Sequence, residues 1–285
     1  MHQRLFVRLD EDAVQGPESG LPRQSLRGFT VCPALRPQVS NVLLYRESFA
    51  ASEEVVERVV PDGAVRLVFD WSEAPSAGRA AMAIGPSIKP AVLRLSGRMA
   101  GMAVTLRPGA AAVLLGLPAG EMAELAVPLQ ELWGRGDAQG LADLAALPDD
   151  ASRIRAVQQA LLLRLQRARP SDPRLAVHAL QALTRTAGRA KVRDVASSVG
   201  VGERRLQQLF DAHIGLSPRS WSRLARLHQC LRELRRQPGK AWPEVALDGG
   251  FFDQSHLINE FRALCGCTPA EFRRMAVSHS SKTGP

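Results

Sequence analysis

Trp242-Pro-Glu-Val-Ala-Leu-Asp-Gly-Gly250-Phe-Phe-Asp-Gln-Ser-His-Leu-Ile-Asn-Glu-Phe261 reads as two short helices around a glycine turn. Pro243 suits the first turn of a helix, where its missing N–H would have had no partner. Val245, Ala246 and Leu247 supply an apolar side. Gly249 and Gly250 make the turn and Phe251 plugs it. Asp253 is placed to cap the next helix, whose Leu257 and Phe261 point inward. Gln254, Ser255, Ile258 and Asn259 are then left facing outward.

The same unit occurs once before. In Lys191-Val-Arg-Asp-Val-Ala-Ser-Ser-Val-Gly200-Val-Gly-Glu-Arg-Arg-Leu-Gln-Gln-Leu-Phe210, Val192, Val195, Ala196 and Val199 make one apolar face. Gly200 stands where a helix end needs positive φ, and Val201 fills the turn. A second helix begins near Glu203 and buries Leu206, Leu209 and Phe210. Arg204, Gln207 and Gln208 then share the opposite face, at i, i+3 and i+4. Helix, glycine turn and helix make a helix-turn-helix. Arginine matches guanine edges and phosphates, and glutamine matches adenine. A solvated bundle face would carry the same residue types.

Between the units, Pro218 to Arg236 reads as one long helix. Trp221, Leu224, Ala225, Leu227, His228, Leu231 and Leu234 give it an apolar side, and Arg223, Arg226, Arg232, Arg235 and Arg236 decorate it. Such a rod can hold two reading helices apart. Successive major grooves on one DNA face lie about 34 Å apart.

Charge is divided unevenly. Residues 1–172 hold 19 Lys and Arg against 19 Asp and Glu, and residues 173–285 hold 18 against 9, so the whole excess of +9 falls in the second segment. A basic segment behind a neutral one points to a polyanionic partner. Four cysteines are too few for a disulfide framework, and Cys265-x-Cys267 is too tight for zinc, so ordinary thiols, no metal and no cofactor are expected. No stretch suits a membrane span, and Arg4, Arg8 and Asp10 fall where a signal peptide needs an apolar core. A cytoplasmic location without membrane contact is the expectation.

Outward from these units, residues 1–35 are rich in Gly, Pro and charge and are expected to be an irregular lead-in. Residues 36–168 form the expected first domain. Its short runs Val39–Tyr45, Val65–Phe69, Ala91–Leu95, Met102–Leu106 and Ala111–Leu115 read as strands, separated by turn signals such as Pro61-Asp-Gly63 and Pro108-Gly109. From residue 121 the pattern becomes helical, with Ser152 as cap of a helix reaching about Arg167. Arg169-Pro-Ser-Asp-Pro173 reads as a linker. Residues 174–277 are expected to be all-helical, with the units at about 191–212 and 241–264, and residues 278–285 a tail. The expected fold is thus an α+β domain, β-rich with trailing helices, followed by an all-α domain with two helix-turn-helix motifs joined by a linker helix. A fragment from Pro173 onward is expected to fold and bind DNA alone.

About residues 174–275 resemble the AraC/XylS family of transcription regulators. The motif Gly250-Phe251-x-Asp253-x-Ser255-His256, then Phe261, Gly266-x-Thr268-Pro269-x-x-Phe272-Arg273, carries the likeness, with Leu206-Gln207, Phe210 and Gly215-Leu216-Ser217-Pro218 in the first unit. The resemblance implies a sequence-specific regulator that reads two adjacent major grooves. It assigns the first contact to Arg204, Gln207 and Gln208, flanked by Glu203 and Arg205. It assigns the second to Gln254, Ser255 and Asn259, flanked by Asp253 and Arg262. The family often has Arg at Asn259, Phe at Leu257, and Ser or Thr at Gly202. His256 can reach a phosphate or serve as a packing and capping residue, and the second role is favoured. Val60-Pro-Asp-Gly63, Gly101 to Gly109 and Leu132-Trp133-Gly134 resemble an uncharacterised β-rich regulatory domain. Such a domain senses a small-molecule effector, forms a homodimer, or does both; the effector-binding residues are unknown. Expected partners are double-stranded DNA and RNA polymerase. Two other classes compete: a DNA-repair or alkyl-transfer enzyme fused to such a reader, which needs an activated cysteine, and a non-specific nucleic-acid-binding module.

Overall fold

The computed structural model describes residues 2–22, 24–72, 80–139, 141, 143–169 and 171–280. A β-rich N-terminal part precedes an all-helical C-terminal part. The strands are β1 (His2–Phe6), β2 (Leu26–Phe29), β3 (Val39–Ser48), β4 (Val55–Val59), β5 (Arg66–Asp70), β6 (Ala81–Ile84), β7 (Ala91–Leu95), β8 (Arg98–Leu106) and β9 (Ala126–Pro128). The first helices are α1 (Ala111–Leu115), α2 (Leu129–Gln139) and α3 (Asp150–Gln166). The C-terminal helices are α4 (Arg174–Arg185), α5 (Val192–Ser198), α6 (Glu203–His213), α7 (Pro218–Arg236), α8 (Trp242–Asp248), α9 (Gln254–Cys265) and α10 (Pro269–Ser280).

An antiparallel six-stranded sheet runs β2-β3-β8-β5-β6-β9. Its inward positions recur every second residue, as the pleat requires: Leu67 and Phe69 on β5, and Met102, Val104 and Leu106 on β8, are all buried. They meet Leu114 and Leu115 of α1, Leu129 and Trp133 of α2, and Ile154, Val157 and Leu161 of α3. A second sheet, β1-β4-β7, pairs β1 parallel to β4 and β4 antiparallel to β7. Arg4 ties the two sheets together. Its Nε donates to Glu57 of β4 at 2.7 Å, and its Nη1 and Nη2 grip Glu47 of β3 at 2.6 and 2.7 Å.

Several expectations change here. The lead-in expected to be irregular contains β1 and β2. Gly, Pro and charge are dense there because tight turns follow β1, and Glu11, Asp12 and Glu18 in them are ion-paired to α7. The run Ala111–Leu115, read as a strand, is a helix that buries Ala111, Leu114 and Leu115, and Gly116 closes it at φ 84°. Five apolar residues fit either period, and the flanking glycine decides. The trailing helix is capped by Asp149, which accepts from the Ser152 N–H at 2.6 Å, rather than by Ser152. Of the expected linker, Pro170 lies outside the described residues. Of the expected tail, residues 278–280 continue α10 and residues 281–285 lie outside the described residues.

The largest change concerns the boundary between the two parts. Leu5, Val7, Leu9 and Val60 are buried in one cluster with Leu206, Phe210, Leu224, Leu231 and Phe261. The first strand and the chain after it therefore belong to the core of the helical part. The turn Pro61–Gly63 docks on α7, where His228 Nε2 donates to the Pro61 carbonyl at 2.9 Å.

Burial holds the His228 imidazole below its ordinary value, and burial does the same to His213. Each stays neutral in the fold, while the unfolded chain takes up protons near pH 6.5. Stability from these groups is complete above that pH and is lost as pH falls toward the depressed folded values. Melting temperature should drop between about pH 7 and about pH 5, and His228→Gln should flatten part of that slope. A slope unchanged in the variant removes His228 from the effect.

Candidate nucleic-acid interface

The first unit is α5, a turn at Gly200 with φ 73°, and α6. Val195, Ala196, Leu206, Leu209 and Phe210 are buried, so α6 is locked by its inner face. Glu203, Arg204, Arg205, Gln207 and Gln208 are all exposed. Arg205 Nη1 reaches Gln208 Oε1 at 3.5 Å, a long bond that leaves both side chains available. Gly202 offers no side-chain cap, so the first N–H groups of α6 stay open to an anion. Glu203 in that first turn complements the helix dipole but repels phosphate.

The second unit is α8, a turn at Gly250 with φ 75°, and α9. Leu257 and Phe261 are fully buried, and Phe261 meets Phe272 of α10 edge to face at 5.4 Å. Gln254, Ser255, Asn259 and Arg262 are exposed, and Ile258 is half-buried. Asp253 is exposed too, but its Oδ1 is engaged as the cap, accepting from the His256 N–H at 2.7 Å. His256 completes the cap: its Nδ1 accepts from the Phe252 N–H at 3.2 Å, and its ring stands edge-on to Phe251 at 5.5 Å. These contacts are the packing and capping role. Leu247, expected on the inner side of α8, is 74% exposed. Two residues beyond Val245 it lies about 200° around the helix, outside the buried arc.

Helix α7 joins the units. At 19 residues it is about 28 Å long. Near its start, Trp221 Nε1 donates to Thr184 Oγ1 of α4 at 2.9 Å and Arg223 Nε donates to Glu260 of α9 at 2.9 Å, and α6 of the first unit and α8 and α9 of the second all pack on it. Its arginines were expected as surface decoration. Instead Arg235 is clamped by Asp12, through Nη1 and Nη2 at 2.9 and 2.8 Å, and by Glu18, through Nε at 2.6 Å. Arg232 Nε donates to Glu11 at 3.0 Å, and Arg236 pairs with Glu233. Those cations are spent on the fold. A Cβ on Gly16 would fall 2.1 Å from Arg235 Nη2, so a larger residue there would have to push the guanidinium from its place between the carboxylates. The acidic run Glu11, Asp12 and Glu18, within the segment expected to be an irregular lead-in, is the sequence signal for this clamp.

The N-terminal part also touches the first unit. The 3-10 turn Ala119–Met122 packs on α6, and the Gly109 N–H donates to the His213 carbonyl at 3.0 Å. Near the second unit, Arg58 of β4 donates to the Gly266 carbonyl.

Cysteine chemistry is quiet in the helical part. Burial pushes the Cys230 thiol up to about 12, Cys267 up to about 11, and Cys265 well above its ordinary value. Among the described residues no group of three or more His, Cys, Asp or Glu could hold a metal ion, and no helix is long and apolar enough to cross a membrane.

Residues 195–275 match the family described as a helix-turn-helix domain, and residues 28–128 match a domain of unknown function (DUF6597). Over 86 residues the chain is 30% identical to the virulence regulon transcriptional activator VirF of Yersinia enterocolitica, covering 29% of this chain and 30% of that protein. Over 87 residues it is 30% identical to the HTH-type transcriptional regulator ExsA of Pseudomonas aeruginosa, covering 30% of each. The chain thus spans 30% of the length of these relatives. Among solved structures, ToxT from Vibrio cholerae aligns over 82% of this chain and 97% of that one, at 12% identity and a TM-score of 0.41. The chain thus carries an AraC-type helix-turn-helix domain over residues 195–275, behind a β-rich N-terminal domain of unknown function over residues 28–128.

Proposed function

We propose that this chain is a sequence-specific DNA-binding transcription regulator that reads two adjacent major grooves with α6 and α9. The observation that carries the reading is the pair of helix-turn-helix units. Each has its recognition helix locked by a buried apolar face, its polar face open, and that helix packed on the shared rod α7. Arg204, Gln207 and Gln208 supply the first base contacts, with Arg205 able to reach phosphate. Gln254, Ser255 and Asn259 supply the second, with Arg262 beside them. Glu203 and Asp253 act mainly on the helix ends. The raised thiols of the helical part argue against an alkyl-transfer chemistry there, because the thiolate is the nucleophile.

The N-terminal domain would control presentation of the reader. It grips α6 through Ala119–Met122 and the Gly109–His213 bond, so a small-molecule effector or a second copy bound to that domain could move the first unit relative to the second. RNA polymerase is the expected further partner, and the cytoplasm the expected location.

Selection of bound duplexes from random sequence by the full chain tests the reading. One enriched motif with two blocks a helical turn apart supports it, whereas salt-sensitive binding without preference supports the non-specific module. On the selected duplex, Arg204→Ala should weaken binding by about 1–3 kcal/mol and relax preference at one base position of the first block. Uniform weakening across all positions would move Arg204 from base to phosphate.

A further inference from the structure

Among the described residues, the most exposed large apolar side chain stands at the front of the second recognition helix. Phe252 is 91% exposed. In the first unit the positive-φ Gly200 is two residues before the helix cap at Gly202; in the second, Gly250 is three residues before the cap at Asp253. The additional residue is Phe252. Its neighbour Phe251 does the plugging and is 4% exposed, so Phe252 is not needed for the core.

The position is also rigid. The Phe252 N–H is held by His256 Nδ1, the His256 N–H by Asp253, and the His256 ring by Phe251 beneath it. An aromatic ring held in water on a fixed backbone loses the burial that would normally stabilise it. It is surrounded along the chain by exposed polar groups, Asp253, Gln254 and Ser255, rather than by an apolar patch. Leu247, the other strongly exposed apolar residue of this unit, belongs to the preceding helix α8. A projecting apolar group among hydrogen-bonding ones, in a segment carrying the whole positive excess of the chain, suits the major groove. There the thymine 5-methyl group is the apolar feature a side chain can read.

We propose that Phe252 is a specificity-determining residue that packs on the 5-methyl group of a thymine at the second major-groove contact. This rests on the DNA-reading function proposed above and adds to it the identity of one recognised group.

The test uses duplexes that the full chain selects from random sequence. Each thymine of the second block is replaced in turn by deoxyuridine, which lacks only the 5-methyl group. One replacement should weaken binding by the unaltered chain about four-fold, the scale of burying a single methyl-sized group. Phe252→Ser should bind the thymine duplex that much more weakly and be indifferent to the same uracil, while Phe252→Leu should keep most of the discrimination. Leu247→Ser should leave the discrimination unchanged. If the chain enriches a sequence but no uracil distinguishes it from Phe252→Ser, the thymine contact is overturned. If the chain enriches no sequence at all, the DNA-reading function itself is overturned, and this contact with it.

Discussion

Arg235→Ala should lower the unfolding free energy by about 3–5 kcal/mol, because it strands two buried carboxylates without their cation. The Asp12 and Glu18 side chains are 10% and 9% exposed, and the guanidinium between them is 13% exposed. All three nitrogens of that guanidinium are bonded, two of them in parallel to Asp12, the geometry in which an arginine contributes most. Their attraction outweighs the burial and holds Arg235 above its ordinary value. A denaturant midpoint read by fluorescence measures the loss. The triple change Arg235→Met, Asp12→Asn and Glu18→Gln should recover a large part of it, since a buried charge cluster and its neutral replacement are often close in energy. A single variant as stable as the unaltered chain would mean that the clamp opens in solution.

The clamp shows where sequence reading stops. The two helix-turn-helix units were legible because their signals are local: apolar spacing, a glycine at the turn, a cap residue, all within about twenty residues of each other. The outward faces followed, since Leu206, Leu209 and Phe210 fix the orientation of α6 by themselves. The strands β3, β5, β7 and β8 were legible from alternation and turn residues. What was missed depends on pairing across the chain. Leu5, Val7 and Leu9 alternate with Arg4, Phe6 and Arg8, a strand pattern, but the run is short and its partner lies at residues 55–59. Arg232 and Arg235 look like solvated charges until Glu11, Asp12 and Glu18 arrive from more than two hundred residues away. Phe251 was legible as the plug of the turn and is 4% exposed, but the local pattern assigned no place to Phe252, whose 91% exposure only the structure gives.

The same long-range pairing reverses what residues 173–285 can do alone. A fragment beginning at Pro173 lacks Leu5, Val7, Leu9 and Val60, which are 0, 0, 1 and 6% exposed against the helical core. Burying such a side chain contributes about 1.5–3 kcal/mol. The four together approach the whole net stability of a domain, about 5–15 kcal/mol. The fragment also loses the carbonyl of Pro61 over His228 and every carboxylate of the Arg235 clamp. It should therefore show helical circular dichroism without a cooperative melt, and it should bind a dye for exposed apolar surface. Rejoining residues 1–72 as a separate peptide should restore cooperativity in part, because that segment carries β1, the clamp and the Pro61 turn together. On the proposed function α6 and α9 read DNA, and the first strand, at the opposite end of the chain, should be needed to hold the helical core that carries both. A fragment that melts cooperatively at the temperature of the full chain would separate those two roles and return the domain boundary to residues 169–173.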